Sequence, residues 1–167
     1  MITKNQQIKN SLLVTREKRK TQTCKVYELK LSENKFNLKQ IDFLYMIFLE
    51  AKWVYNDILN FNDLKNYDCK KKEVEILNKN KEKEIRELKV LGSQIKQEIL
   101  QRTWGSIKSL STKKKKGKTK QVGRLKFKSQ LNSIPLKQYG ITYKFQDENL
   151  KIQNCKFLFQ IKGLKQI

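Results

Sequence analysis

The stretch Lys113–Ser129, KKKKGKTKQVGRLKFKS, decides how the rest of the chain is read. It holds nine Lys or Arg and no acidic residue. Its first half is a run of like charges broken by Gly117 and Thr119. Such a run repels itself and has nothing to bury, which predicts an unfolded linker. From Val122 the pattern alternates. Leu125 and Phe127 fall on one side, and Arg124, Lys126 and Lys128 on the other. A period of two predicts a strand with one apolar and one wholly cationic face. A cationic strand fed by a cationic loop suits a phosphate backbone.

Towards the C-terminus the period of two persists. It predicts strands at 133–139, around Ile141, Tyr143 and Phe145, at Leu150 and Ile152, and through Phe157, Phe159 and Ile161, with a turn at 146–149. Pro135 belongs at an edge or a bend. Towards the N-terminus the pattern turns helical. Residues 70–110 read as one or two helices, because Glu and Lys recur at i,i+4 spacing and Ile85, Leu88, Leu91, Ile95 and Ile99 make one stripe. Gly92-Ser93 reads as a helix end followed by a new N-cap at Ser93. Residues 36–61 give the strongest helix. Ile41, Leu44, Phe48, Ala51, Tyr55 and Ile58 form its stripe, widened by Phe43, Ile47, Val54 and Leu59. Before it, CKVYELKL at 24–31 alternates as a strand, and Ser32 opens the turn that follows. Residues 1–20 are basic and without period, a flexible arm that either frays or lies on nucleic acid.

Strand, helices and strands in that order predict an α+β fold. The first strand cannot pair with helices, so it joins the late strands in a small β-barrel or curled sheet interrupted by a helical insertion.

The composition narrows the partners. With 167 residues, 38% apolar and a net charge of +22, a thin core is possible but self-repulsion is strong. A bound polyanion relieves that repulsion; nucleic acid comes first and an anionic membrane surface second. No apolar run approaches the roughly eighteen residues of a membrane span, and no signal-peptide core is present, so the chain reads as cytoplasmic. His is absent, and Cys24, Cys69 and Cys155 are far apart with no CxxC pair. This excludes a zinc site of local ligand pairs and all imidazole chemistry. The cysteines read as small buried apolar residues, and no metal or cofactor is expected.

Several segments in order resemble the N-terminal part of the TnpB family, the transposon-encoded RNA-guided nucleases related to type V CRISPR effectors. CKVYELKLSENKF resembles its opening strand, and AKWVYNDILN (51–60) its aromatic-Val-Tyr-Asn helix. LGSQIKQEIL (91–100) resembles its Leu-Pro-Ser-Gln helix start, with Gly92 in place of Pro. GRLKFKS (123–129) resembles its Gly-x-Pro-Arg-Phe-Lys-Ser segment without the Pro, and NSIPLKQYG and FQIKGLKQI its next barrel strands. The resemblance implies an oligonucleotide-binding-like wedge barrel split by a helical recognition lobe. Its parts would be a basic arm (1–21), a first wedge strand (22–35), the helical lobe (36–112), a basic linker (113–121) and the remaining wedge strands (122–167). In that family these parts hold a guide-type RNA and contact the motif flanking the double-stranded DNA target, while base pairing reads sequence.

The family's three acidic metal ligands and its zinc ribbon lie downstream of the matching region. The resemblance therefore implies a truncated member with no catalytic residue of its own, or one half of a split nuclease whose other half is a separate chain. Asp57, Glu98 and Asp147 read as surface carboxylates of helix or turn. A basic RNA-binding module of ribosomal type is the alternative reading.

The residues expected to contact nucleic acid are Arg124, Lys126 and Lys128. Lys113, Lys114, Lys115, Lys116, Lys118 and Lys120 either clamp the same strand or stay solvated. Glutamine can pair with adenine edges. By resemblance, Ser93, Gln94 and Gln97 at a helix start would read the flanking motif, with Gln138 and Tyr139 nearby. Trp53, Tyr55 and Trp104 are either stacking residues or core.

Overall fold

The computed structural model describes residues 3–23, 26–61, 63–78, 80–118 and 123–164. Its elements are α1 (Lys4–Thr21), β1 (Lys30–Leu31), α2 (Leu38–Asn60), β2 (Glu73–Leu77), β3 (Lys83–Glu87), α3 (Ser93–Lys115), β4 (Tyr143–Gln146), β5 (Asn149–Ile152) and β6 (Leu158–Lys162).

The strongest helical pattern becomes α2, the spine of the fold. Asn37 opens it with a capping box: its side chain accepts from the Gln40 N–H, and the Gln40 side chain accepts from the Asn37 N–H. The buried face is centred on Phe43, Ile47, Ala51, Val54 and Ile58, whereas Ile41 is 49% exposed. The face is thus rotated from the expected stripe. Apolar residues almost encircle this helix, so periodicity alone does not choose a side. The choice is made by α3 and the sheet, which supply Ile95, Ile99, Ile152 and Phe159 to the same core.

The described residues of 70–91 are not helical. β2 and β3 form an antiparallel hairpin with Val74 opposite Arg86 and Leu77 opposite Lys83. The Asn78 side chain accepts from the Asn80 and Glu82 N–H groups, and Lys81 takes a left-handed φ of 65°. These make a turn that competes with helix. The Glu and Lys residues spaced for helical pairs act across and along strands instead, as Lys83–Glu75 (2.9 Å) and Arg86–Glu84 (2.8 Å). Val74 is buried, while Ile85 leaves the expected stripe at 70% exposure.

A buried carboxylate ties this hairpin to α2. Glu50 accepts from the backbone N–H groups of Lys89, Val90 and Leu91 at 2.7–3.2 Å. It fixes the corner at which α3 begins. Gly92, not Ser93, is the N-cap, without a side-chain cap bond. A Cβ there would lie 2.3 Å from Gln153 Oε1, so the Gln153 side chain packs where any residue larger than glycine would need it to move.

Lys113–Lys115 are the last turn of α3 rather than a linker. Cations are favourable there, where the helix dipole presents its negative end. Gly117, at φ 67°, breaks the helix. The N-terminal arm also differs from expectation. α1 has a Thr3–Gln6 capping box but buries no residue, because it lacks an apolar face.

The four-stranded sheet has the order β1-β6-β5-β4. β1 does join the late strands, with Lys30 opposite Lys162 and Leu31 opposite Ile161, although only two residues of the expected 24–31 strand pair. The sheet ends at β1 and β4 and does not close, so it is an open antiparallel sheet and not a barrel. The strands expected at 122–128 and 133–139 form no ladder among the described residues; only a bridge between Tyr139 and Tyr143 is made. Pro135 lacks a donor there, and the first of these segments bonds to a helix side chain instead.

Candidate nucleic-acid interface

Residues 123–131 run as an extended chain across the helices. Gly123 lies beside Leu110 of α3, with the position of a Cβ 3.8 Å from Leu110 Cδ2. At the other end Asn56 of α2 holds the backbone of Lys128. Its Nδ2 donates to the Lys128 carbonyl at 3.0 Å, and its Oδ1 accepts from the Lys128 N–H at 2.9 Å. A primary amide reproduces one rung of a β-ladder here, so the strand that the alternation predicts is paired to a side chain. The Tyr55 hydroxyl reaches the Lys126 carbonyl at 3.5 Å. Burial pushes the Tyr55 phenol up from its ordinary value. Tyr55 also lies under Lys128, whose Nζ is 5.1 Å from its ring centroid.

With its backbone held, the segment exposes Arg124, Lys126 and Lys128. The cations recur about every 6.5 Å along an extended chain. A cleft of about 410 Å³ runs between the segment and α3, lined by Tyr55, Arg102, Thr103, Arg124 and Pro135. Arg102 donates to Ser133 Oγ at 3.3 Å, placing a further cation beside Arg124. Lys113–Lys116 and Lys118 are exposed at the end of α3, from which the chain re-enters this segment. Lys120 and Val122 lie outside the described residues.

The five residues expected to read a target-flanking motif do not converge equally. Gln94 accepts from Ser93 Oγ at 3.2 Å and from Gln153 Nε2 at 3.3 Å, which turns it towards the sheet. Gln97 is exposed on the first turns of α3. Gln138 uses its backbone N–H and carbonyl with the Thr142 hydroxyl, at 3.2 and 3.1 Å. Tyr139 is 62% exposed and packs edge-on against Tyr143, with ring centroids 5.6 Å apart.

Compared with known protein families, curated proteins and solved structures, the chain matches none.

Two of the three carboxylates read as surface groups are buried. Asp57 accepts from the Tyr67 hydroxyl at 2.5 Å and pairs with Lys71, whose Nζ sits 4.3 Å over the Tyr67 ring. Burial, and then the bond to Asp57, push the Tyr67 phenol up. Glu98 lies 2.8 Å from Lys137 Nζ and joins α3 to the 133–139 segment. Asp147 does sit in an exposed turn, at φ 51°. These carboxylates hold structure together. Among the described residues no three Cys, Asp or Glu are grouped so as to hold a metal ion, and no helix is long and apolar enough to cross a membrane.

The contributions of Asn56, Arg102 and Glu50 are not legible in the sequence pattern. Each is a polar residue on an otherwise helical stripe, and each acts on a partner at least thirty residues away. The one available signal was a polar residue at a position the helical period places inside, which fits Glu50.

Proposed function

We propose that this chain binds nucleic acid by its phosphate backbone along Arg124, Lys126 and Lys128. The finer reading follows the TnpB resemblance: a guide-type RNA and the motif flanking a double-stranded DNA target are held without a nuclease centre in this chain. One observation carries the proposal. The cationic segment around Arg124, Lys126 and Lys128 is fixed by the Lys128 backbone to Asn56 and leaves all three side chains exposed, that of Lys128 lying over the Tyr55 ring. A held backbone lowers the entropy lost when a polyanion settles on it. The net charge of +22 supplies long-range attraction, and the exposed lysines at the end of α3 extend the track.

Salt dependence tests this. Binding to RNA or DNA weakens as counterions are retained at high salt, with a log-log slope set by the number of phosphates neutralised. Replacing Arg124, Lys126 and Lys128 together by Ala lowers that slope by about three units if each meets one phosphate. An unchanged slope overturns the assignment. RNA copurified with the chain separates the finer readings. A single discrete structured species supports the guide-RNA reading, and bulk ribosomal RNA supports a ribosomal-type module instead.

A further inference from the structure

On the α2 side of the cationic segment lies a second cleft, of about 260 Å³, walled by Trp53 and Phe127. It is lined also by the amide of Asn60, the cations Lys52 and Lys128, and Glu75, Ile76 and Leu77 of β2. Phe127 is 56% exposed although it alternates to the apolar side of its segment. Trp53 also borders a neighbouring cleft that Arg86 lines, with the Arg86 guanidinium carbon over the Trp53 ring at 5.7 Å from its centroid. The guanidinium is not among the groups that line the cleft Trp53 shares with Phe127.

We infer that this Trp53–Phe127 cleft receives an unpaired nucleobase from a strand whose phosphates lie on Lys126 and Lys128. The inference rests on the phosphate-binding reading above and adds a base site to it. Three features fit a base better than another apolar guest. Trp53 and Phe127 both line it, and stacking on aromatic rings tolerates any base. Lys128 belongs both to the cationic track and to the lining of the cleft, as a site taking one nucleotide's phosphate and base requires. The amide of Asn60 offers a donor and an acceptor at the edge, as the rim of a base's hydrogen-bonding face requires. A base in a duplex is already stacked and paired and cannot enter.

Trp53 itself reports entry. The chain has two tryptophans, so Trp104→Phe leaves Trp53 as the only indole. Titrate this variant with an unpaired ribo-oligonucleotide, the matching deoxyribo-oligonucleotide, their duplexes, and inorganic polyphosphate. Quenching of Trp53 by either unpaired strand, with none from duplex or polyphosphate, is the expected result. Phe127→Ala then weakens unpaired-strand binding at least about fivefold while leaving the salt slope unchanged. Equal quenching by duplex or polyphosphate, or no quenching by both unpaired strands, overturns the base site. So does unchanged affinity in Phe127→Ala. Loss of the salt slope in the Lys and Arg variants is a separate readout, so the base site can fail while the phosphate track stands.

Discussion

The Asn56 side chain exchanges two hydrogen bonds with the backbone of Lys128, donating at 3.0 Å and accepting at 2.9 Å. The two residues are 72 apart in sequence. This contact, with the longer bond from the Tyr55 hydroxyl to the Lys126 carbonyl, holds the backbone of the cationic segment against α2. Asn56→Asp keeps the size but turns a donor into an acceptor facing the Lys128 carbonyl. It should cost about 1–2 kcal/mol, from one lost hydrogen bond and the repulsion between a carboxylate oxygen and the Lys128 carbonyl, while the bond from the Lys128 N–H is kept. The larger effect is local: tryptic cleavage after Lys126 and Lys128 should accelerate well before global unfolding does. Cleavage at the wild-type rate in Asn56→Asp would show that other contacts hold the segment.

Glu50 makes a stability prediction of a different size. Its carboxylate is fully buried and serves three consecutive amides at the entry to α3. Glu50→Ala strands those N–H groups in the interior and should cost about 3–5 kcal/mol in urea unfolding. Glu50→Gln keeps the volume and one acceptor oxygen, so it should fall clearly between the wild type and Ala. If Gln and Ala were equally damaging, packing around the amide rather than acceptor loss would be the cause.

Helix and strand were legible in the sequence where one periodicity was present without a competitor. α2 and the β4–β6 strands followed from spacing alone, and the alternation of CKVYELKL correctly sent the first strand to the late sheet. The β2–β3 hairpin was not legible, because its Glu and Lys residues satisfy helical and cross-strand pairing equally. What settles it is a side-chain turn at Asn78, together with the docking of Val74 on the core. The lysine run misled in the opposite direction: repulsion predicts disorder, but a helix begun 20 residues earlier carries Lys113–Lys115 as its final turn. Of the candidate interface, the cationic alternation at 124–128 was readable. The side chain that pairs with it was not, since that depends on which face α2 turns outward.

Alkaline pH should weaken the fold through buried thiols. Burial pushes Cys69 and Cys155 up from the ordinary 9.0. The folded chain therefore keeps protons that the unfolded chain gives up. The stability so contributed is whole below pH 9.0 and is lost as pH rises beyond it. Tyr67, also pushed up, adds to the loss above 10.0. Lys96 opposes it: burial pushes its ammonium down from 10.5, so its penalty is full at neutral pH and fades on approach to that value. Replacing both cysteines by Ala keeps Tyr67 and Lys96 and removes the thiols together with the interaction of Cys69 with those two groups. Between about pH 8 and about pH 10 the urea midpoint of this double variant should fall less than that of the wild type. Parallel falls would assign the alkaline loss elsewhere.

Gln97 carries the sharpest test of sequence reading by α3. It faces solvent beside Gln94, which is occupied with Gln153. Its amide is therefore the one in this pair free to meet a base edge. Removing an exposed side chain from a helix should leave the unfolding midpoint essentially unchanged. RNA affinity and the salt slope should also persist, because no charge is lost. What should change is discrimination among DNA duplexes with different flanking sequences, by about fivefold or more at the position it contacts. The measurement is competition of a panel of short duplexes against one labelled site, for wild type and Gln97→Ala. A uniform loss across the panel would make Gln97 a backbone contact, and no loss on any duplex would remove it from the interface.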